Sequence, residues 1–152
     1  MIEFKRLLYP VDLSDSSAKI VPYVQSVAEK FEAKIHIFFA ARVFDYFTSI
    51  YVPHPSINKF EKELIDGAEK RLYEFADEHF SKFPSTKTAV VAGDASEEII
   101  NYIEDQHIDL VIMGTHGRKG MDKIIFGSVA ERVVKASPVP VMVVNPYKTD
   151  RI

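Results

Sequence analysis

The chain has 152 residues, 47% of them hydrophobic, with a formal net charge of −3 and a pI near 5.9. That is enough apolar material for one core of ordinary size, and the charge balance gives no general attraction to nucleic acid or to an anionic membrane. Cysteine is absent, which excludes disulfide frameworks, thiolate chemistry and cysteine-ligated zinc.

No apolar run approaches the roughly 18 residues of a membrane-crossing helix. Met1-Ile2-Glu3-Phe4-Lys5 lacks the charged-then-apolar layout of a secretion signal, so the expectation is one cytoplasmic domain over residues 1–152. Phe4 to Asp12, FKRLLYPVD, reads as a short strand (β1) with a basic start and an acidic stop. Ser14 is placed to cap a helix (α1) that runs to about Phe31. Ala33 to Ala40, AKIHIFFA, is rich in β-branched and aromatic residues and alternates only in part, as a strand covered on both faces would (β2). From about Ile57 to Ser81, Phe60, Leu64, Ala68, Leu72, Phe75 and His79 recur every three or four residues and predict the longest helix (α2). Lys87 to Ala92 predicts β3, which Gly93 ends. Asp94 then caps α3, with Glu97 at capping-box spacing and Ile99, Ile100 and Ile103 inside the helix. Asp109 to Met113, DLVIM, predicts a buried strand (β4) ending at Gly114. A helix from about Gly127 to Ala136 (α4) leads to VPVMVV at Val139 to Val144 (β5).

Strands alternating with helices imply right-handed crossovers and an α/β, doubly wound parallel sheet with helices on both faces. In such sheets ligands sit beyond the carboxyl ends of the strands, where the strand order reverses. The strand ends to consider carry Asp12, Ala40, Gly93 and Gly114.

Residues 113 to 129, MGTHGRKGMDKIIFGSV, begin at one of those ends and contain four glycines. Gly114, Gly117 and Gly120 permit positive φ and let backbone N–H groups approach a ligand closely. Gly127-Ser128 opens a helix whose free N–H groups and positive dipole end favour an anion. Arg118 and Lys119 add cations within the loop, and His116 adds a donor or a stacking face. The spacing fits neither the P-loop nor the dinucleotide fingerprint. Glycines and solvated basic residues also occur in βα loops that bind nothing.

GTHGRKGMDKIIFGSVAERVVKASPVPVMVV, together with the early LLYPVDLSDSSAKIV, resembles the universal stress protein family, specifically its ATP-binding branch. The resemblance implies a five-stranded parallel sheet of order 3-2-1-4-5, with the reversal between β1 and β4. It also implies roles for particular residues. Pro10, Val11 and Asp12 would border the adenosine, with the Asp12 carboxylate on its adenine or ribose edge, and Ala40 would line the adenine pocket. Met113 and Gly114 would lie under the ribose, Gly117 and Arg118 would meet the phosphates, and Gly127, Ser128 and Val129 would donate to them. Mg²⁺ or Mn²⁺ would be carried on those phosphates. The implied role is a nucleotide-dependent regulator or switch in the stress response, with at most slow ATP hydrolysis. A family member that binds protein partners without nucleotide, and a low-turnover ATPase, are the alternatives.

Other chemistry finds little support. His36, His54, His79 and His107 show no metal-ligand spacing, so no protein metal site is expected. Ser128 lacks the elbow of hydrolases, and no nucleophile–base pair or divided acid pair stands out. LSDSSA is a poor match for a flavodoxin phosphate loop, and a receiver domain's acidic pocket is incomplete. Asp12 also reads as a strand-end acid that caps the next helix. Residues 41 to 56, ARVFDYFTSIYVPHPS, are too apolar for an idle loop, and should cover the pocket or α2, or meet a second subunit. β5 is an edge strand too apolar to leave unpaired. The family commonly dimerises there, which implies a homodimer through Val139 to Val144.

Overall fold

The computed structural model describes residues 1–42, 54–116 and 127–149, with backbone alone at 54–56. Its elements are β1 (Arg6–Pro10), α1 (Asp15–Phe31), β2 (Lys34–Ala41), α2 (His54–Phe80), β3 (Lys87–Ala92), α3 (Ala95–Asp105), β4 (Leu110–Gly114), α4 (Ser128–Ala136) and β5 (Val141–Val144). The strands form one sheet in the order β3-β2-β1-β4-β5, and every pairing is parallel. This is the expected doubly wound fold. Residues 43–53, most of the aromatic segment, lie outside the described residues, as do 117–126.

The central strands look uniformly apolar in sequence because both of their faces are covered. Leu7, Tyr9, Ile35, Ile37, Leu110 and Ile112 point to one side, where α1 and α2 bring Val24, Ala28, Leu72 and Phe80. Leu8, Phe38, Val111 and Met113 point to the other, against Ile99, Ile103, Ala130 and Val133 of α3 and α4. The period of two survives inside a continuous hydrophobic run. Each fully buried aliphatic side chain contributes about 1.5–3 kcal/mol, so these two layers supply the bulk of the driving force.

Strand order reverses where β1 meets β4, with Leu7 opposite Leu110 and Leu8 opposite Val111. The start of this pairing is pinned by Asp109. One of its carboxylate oxygens accepts from the backbone N–H groups of Lys5 and Arg6, both at 2.8 Å. β5 begins two residues later than expected, because Pro138 and Pro140 keep the chain out of the ladder until Val141.

Candidate functional site

β1 delivers its last residues, Pro10 to Asp12, to the carboxyl edge of the sheet, and the Val11 N–H donates to the Phe38 carbonyl of β2 at 2.8 Å. Beyond Val11 the backbone turns sharply, and Leu13 has a φ of 61°, a left-handed conformation that costs a branched residue about 1 kcal/mol. Asp12 holds the turn. Its Oδ1 accepts from the Ser14 N–H (3.0 Å), the Ser14 hydroxyl (2.6 Å) and the Ser17 hydroxyl (2.9 Å).

These bonds correct one expectation. Ser14 occupies the cap position of α1, but its side chain makes no bond to the helix and donates to Asp12 instead. The acid therefore organises the entry to α1, and its position beside Val11 at the sheet edge is a consequence of the same network. Behind it the Tyr9 hydroxyl donates to the Ser17 carbonyl. Burial, with the Asp12 charge adding to it, pushes the Tyr9 phenol far above its ordinary range, so it stays a donor.

Ala40 lies one residue before the end of β2, and Met113 lies one residue before the end of β4 with its side chain in the α3–α4 core. Gly114 does not have positive φ. Its requirement for glycine is one of space: a Cβ there would come within 2.7 Å of Ile20 Cδ1 and 3.1 Å of the His116 carbonyl oxygen.

The chain then leaves the sheet through Thr115 and His116, both buried. The Thr115 N–H donates to the Val144 carbonyl at 2.9 Å, which ties the exit to β5. His116 was expected to present a donor or a stacking face. Its Nδ1 lies 2.8 Å from the Thr115 hydroxyl, and its ring packs edge-on against Tyr147 at a centroid distance of 5.6 Å.

When the description resumes at Gly127, the chain is back beside Thr115. The Gly127 N–H, expected to serve a ligand, donates to the Thr115 carbonyl at 2.6 Å. A Cβ on Gly127 would lie 3.1 Å from that same oxygen, so glycine permits the close approach. The donors open at this end of α4 are the N–H groups of Ser128, Val129 and Ala130, which have no carbonyl one turn back within the helix. Ala130, Ser17, Thr115 and Tyr147 were missed in sequence. Helix-start geometry signals the first, and nothing local signals the other three.

The structure therefore brings Pro10, Val11, Asp12, Ala40, Met113, Gly114, His116, Gly127, Ser128 and Val129 to one edge of the sheet. Gly117 and Arg118 lie outside the described residues. Two open depressions lie elsewhere. One of about 700 Å³ runs between α2 and β3 and is lined by Asp66, Glu69, Lys70 and Tyr73, and one of about 350 Å³ runs between α3 and α4. Neither gathers chemistry of its own. Among the described residues no group of three or more His, Asp or Glu side chains is placed to hold a metal ion, and no helix is long and apolar enough to cross a membrane.

The sequence model of the universal stress protein family matches residues 3–145. The chain belongs to that family. Universal stress protein MJ0531 of Methanocaldococcus jannaschii is 31% identical over 153 residues, covering 97% of this chain and 85% of the relative. The solved structure of MJ0577 from the same organism superimposes with a TM-score of 0.80 at 26% identity, covering 95% of this chain and 97% of that one. The Archaeoglobus fulgidus universal stress protein solved in complex with dAMP has a TM-score of 0.64 at 15% identity, covering 93% of this chain and 98% of its own. At that identity the likeness shows the fold alone. Within this universal stress protein, the reversal between β1 and β4 is the place where the family's architecture leaves room for a ligand.

Proposed function

We propose that this universal stress protein binds ATP at the carboxyl edge of β1 and β4 and acts as a nucleotide-dependent regulator. The observation that carries the reading is the pairing of Gly114 and Gly127. Each sits where a Cβ would crowd backbone or core, and between them they keep the space above the strand ends free beside the open N–H groups of α4. The dAMP complex of the Archaeoglobus protein supports an adenine nucleotide as the ligand class.

In this reading Val11, Asp12, Ala40 and Met113 border the adenosine. Ser128, Val129 and Ala130 donate to the phosphates, and Gly117 and Arg118 complete the phosphate contacts from the loop. A divalent ion, Mg²⁺ or Mn²⁺, neutralises phosphate charge when bound. The Asp12–Ser14–Ser17 network pre-orients the strand end, so little ordering is needed on binding. No described side chain is a base poised on a nucleophile, which favours holding nucleotide over turning it over. The proposal extends to a cytoplasmic homodimer that pairs through β5, where Met142 is 39% exposed on the sheet edge.

The test is acid extraction of nucleotide from freshly purified protein, followed by calorimetric titration of ATP with Mg²⁺ into wild type and Gly117→Val. The expected result is micromolar binding of about −8 kcal/mol, lost in the variant. Wild type free of nucleotide and silent on titration would overturn the reading in favour of a family member that binds partners without nucleotide.

A further inference from the structure

The segment after the last strand has no part in the nucleotide reading, yet it touches the exit of β4. Tyr147 packs its ring edge-on against His116, at 5.6 Å and 66°. His116 is bonded through Nδ1 to the Thr115 hydroxyl at 2.8 Å. The Thr115 carbonyl takes the N–H of Gly127 at 2.6 Å, and Gly127 is the cap residue of α4. On its other side Tyr147 carries the Lys19 ammonium of α1, 5.6 Å from the ring centroid. A continuous chain of contacts thus runs from α1 through Tyr147 to the first turn of α4.

We propose that Tyr147 is a positioning residue for the phosphate end of the site, fixing the start of α4 against β4 through His116 and Thr115. This rests on the nucleotide reading above. Tyr147 is itself partly exposed and outside both core layers, so its role is separable from folding. The adenosine half of the ligand is expected at Val11, Asp12 and Ala40, which the tether does not touch. Weakening the tether therefore acts on the phosphates alone. An edge-on aromatic pair adds about 0.5–1.5 kcal/mol beyond its burial, so the effect on affinity is about tenfold.

The experiment compares wild type, Tyr147→Ala and Tyr147→Phe in calorimetric titrations with ATP and with adenosine, alongside thermal unfolding. Tyr147→Ala is expected to bind ATP about tenfold more weakly and adenosine as before, at a similar unfolding temperature, and Tyr147→Phe to restore ATP binding. Equal losses for both ligands, or none, would overturn the tether while wild-type ATP binding leaves the nucleotide reading standing. A readout without nucleotide keeps the two apart. The Gly127 and Ser128 amide resonances of the ligand-free protein are expected to shift in Tyr147→Ala. If they do not move, the tether is wrong whatever wild type binds.

Discussion

The hydroxyl of Tyr102 on α3 lies 2.8 Å from Nδ1 of His36 on β2, inside the α3–α4 side of the core. His36 is buried, and its Nε2 has no hydrogen-bond partner. Burial first, and then the charges of Lys87, Lys34 and Arg6, lower the ring's pKa from 6.5 to about 4. Between those values the unfolded chain carries a proton here that the folded chain does not. Stability is therefore full above pH 6.5 and falls as the pH drops towards 4, by up to about 3 kcal/mol. Urea unfolding across this range should show the loss, and His36→Gln should flatten it even if its stability at neutral pH is lower. An unchanged slope in the variant would assign the effect to other groups.

Gly114 and Ile20 are coupled by space. Gly114→Ala places a methyl 2.7 Å from Ile20 Cδ1 and should cost about 1–3 kcal/mol. Ile20→Val removes that atom and alone should cost about 1 kcal/mol. The double variant should be more stable than the sum of the two, and additive losses would show that the His116 carbonyl oxygen, not Ile20, is the obstacle.

Glu32 ends α1 in the left-handed conformation, φ 52°, with its N–H on the carbonyls of Ala28 and Glu29. It is exposed, and a negative charge at a helix C-terminus opposes the dipole. Glu32→Gly should stabilise the protein by about 1 kcal/mol, read as a rise in unfolding temperature. Leu13→Gly relieves similar strain but removes a side chain packed on the core, and should give no gain.

On β5, Val141 and Val143 pack against the core while Met142 stands exposed. Met142→Glu should shift sedimentation towards the monomer without lowering the unfolding temperature appreciably. A dimer that survives the substitution would place the subunit contact elsewhere.

Much of the fold could be read from the sequence because its signals are local. β3 needs only Lys87 to Ala92 and the glycine after it, and Asp94 caps α3 as its spacing with Glu97 predicts, accepting from the Glu97 N–H at 3.1 Å. Hydroxyl groups were harder, since Ser14 can accept from a helix or donate to a neighbour, and the acid two residues earlier decides which. At the site, the glycines gave the right edge of the sheet but for a different reason at Gly114, where packing and not φ excludes a side chain. His36 sits in AKIHIFFA with no hint of Tyr102, which lies 66 residues away. Tyr147 falls after the last element, where periodicity carries no information.

The Asp109 carboxylate grips the N–H groups of Lys5 and Arg6 across 103 to 104 residues of chain. During synthesis β1 can pair with β2 early, but its other edge has no neighbour until β4 has emerged. The first half of the protein therefore waits with one side of its first strand open, in search of a partner. Closure at Asp109 ends that exposure, which makes the opposite end of the sheet from the candidate site the place where folding is completed.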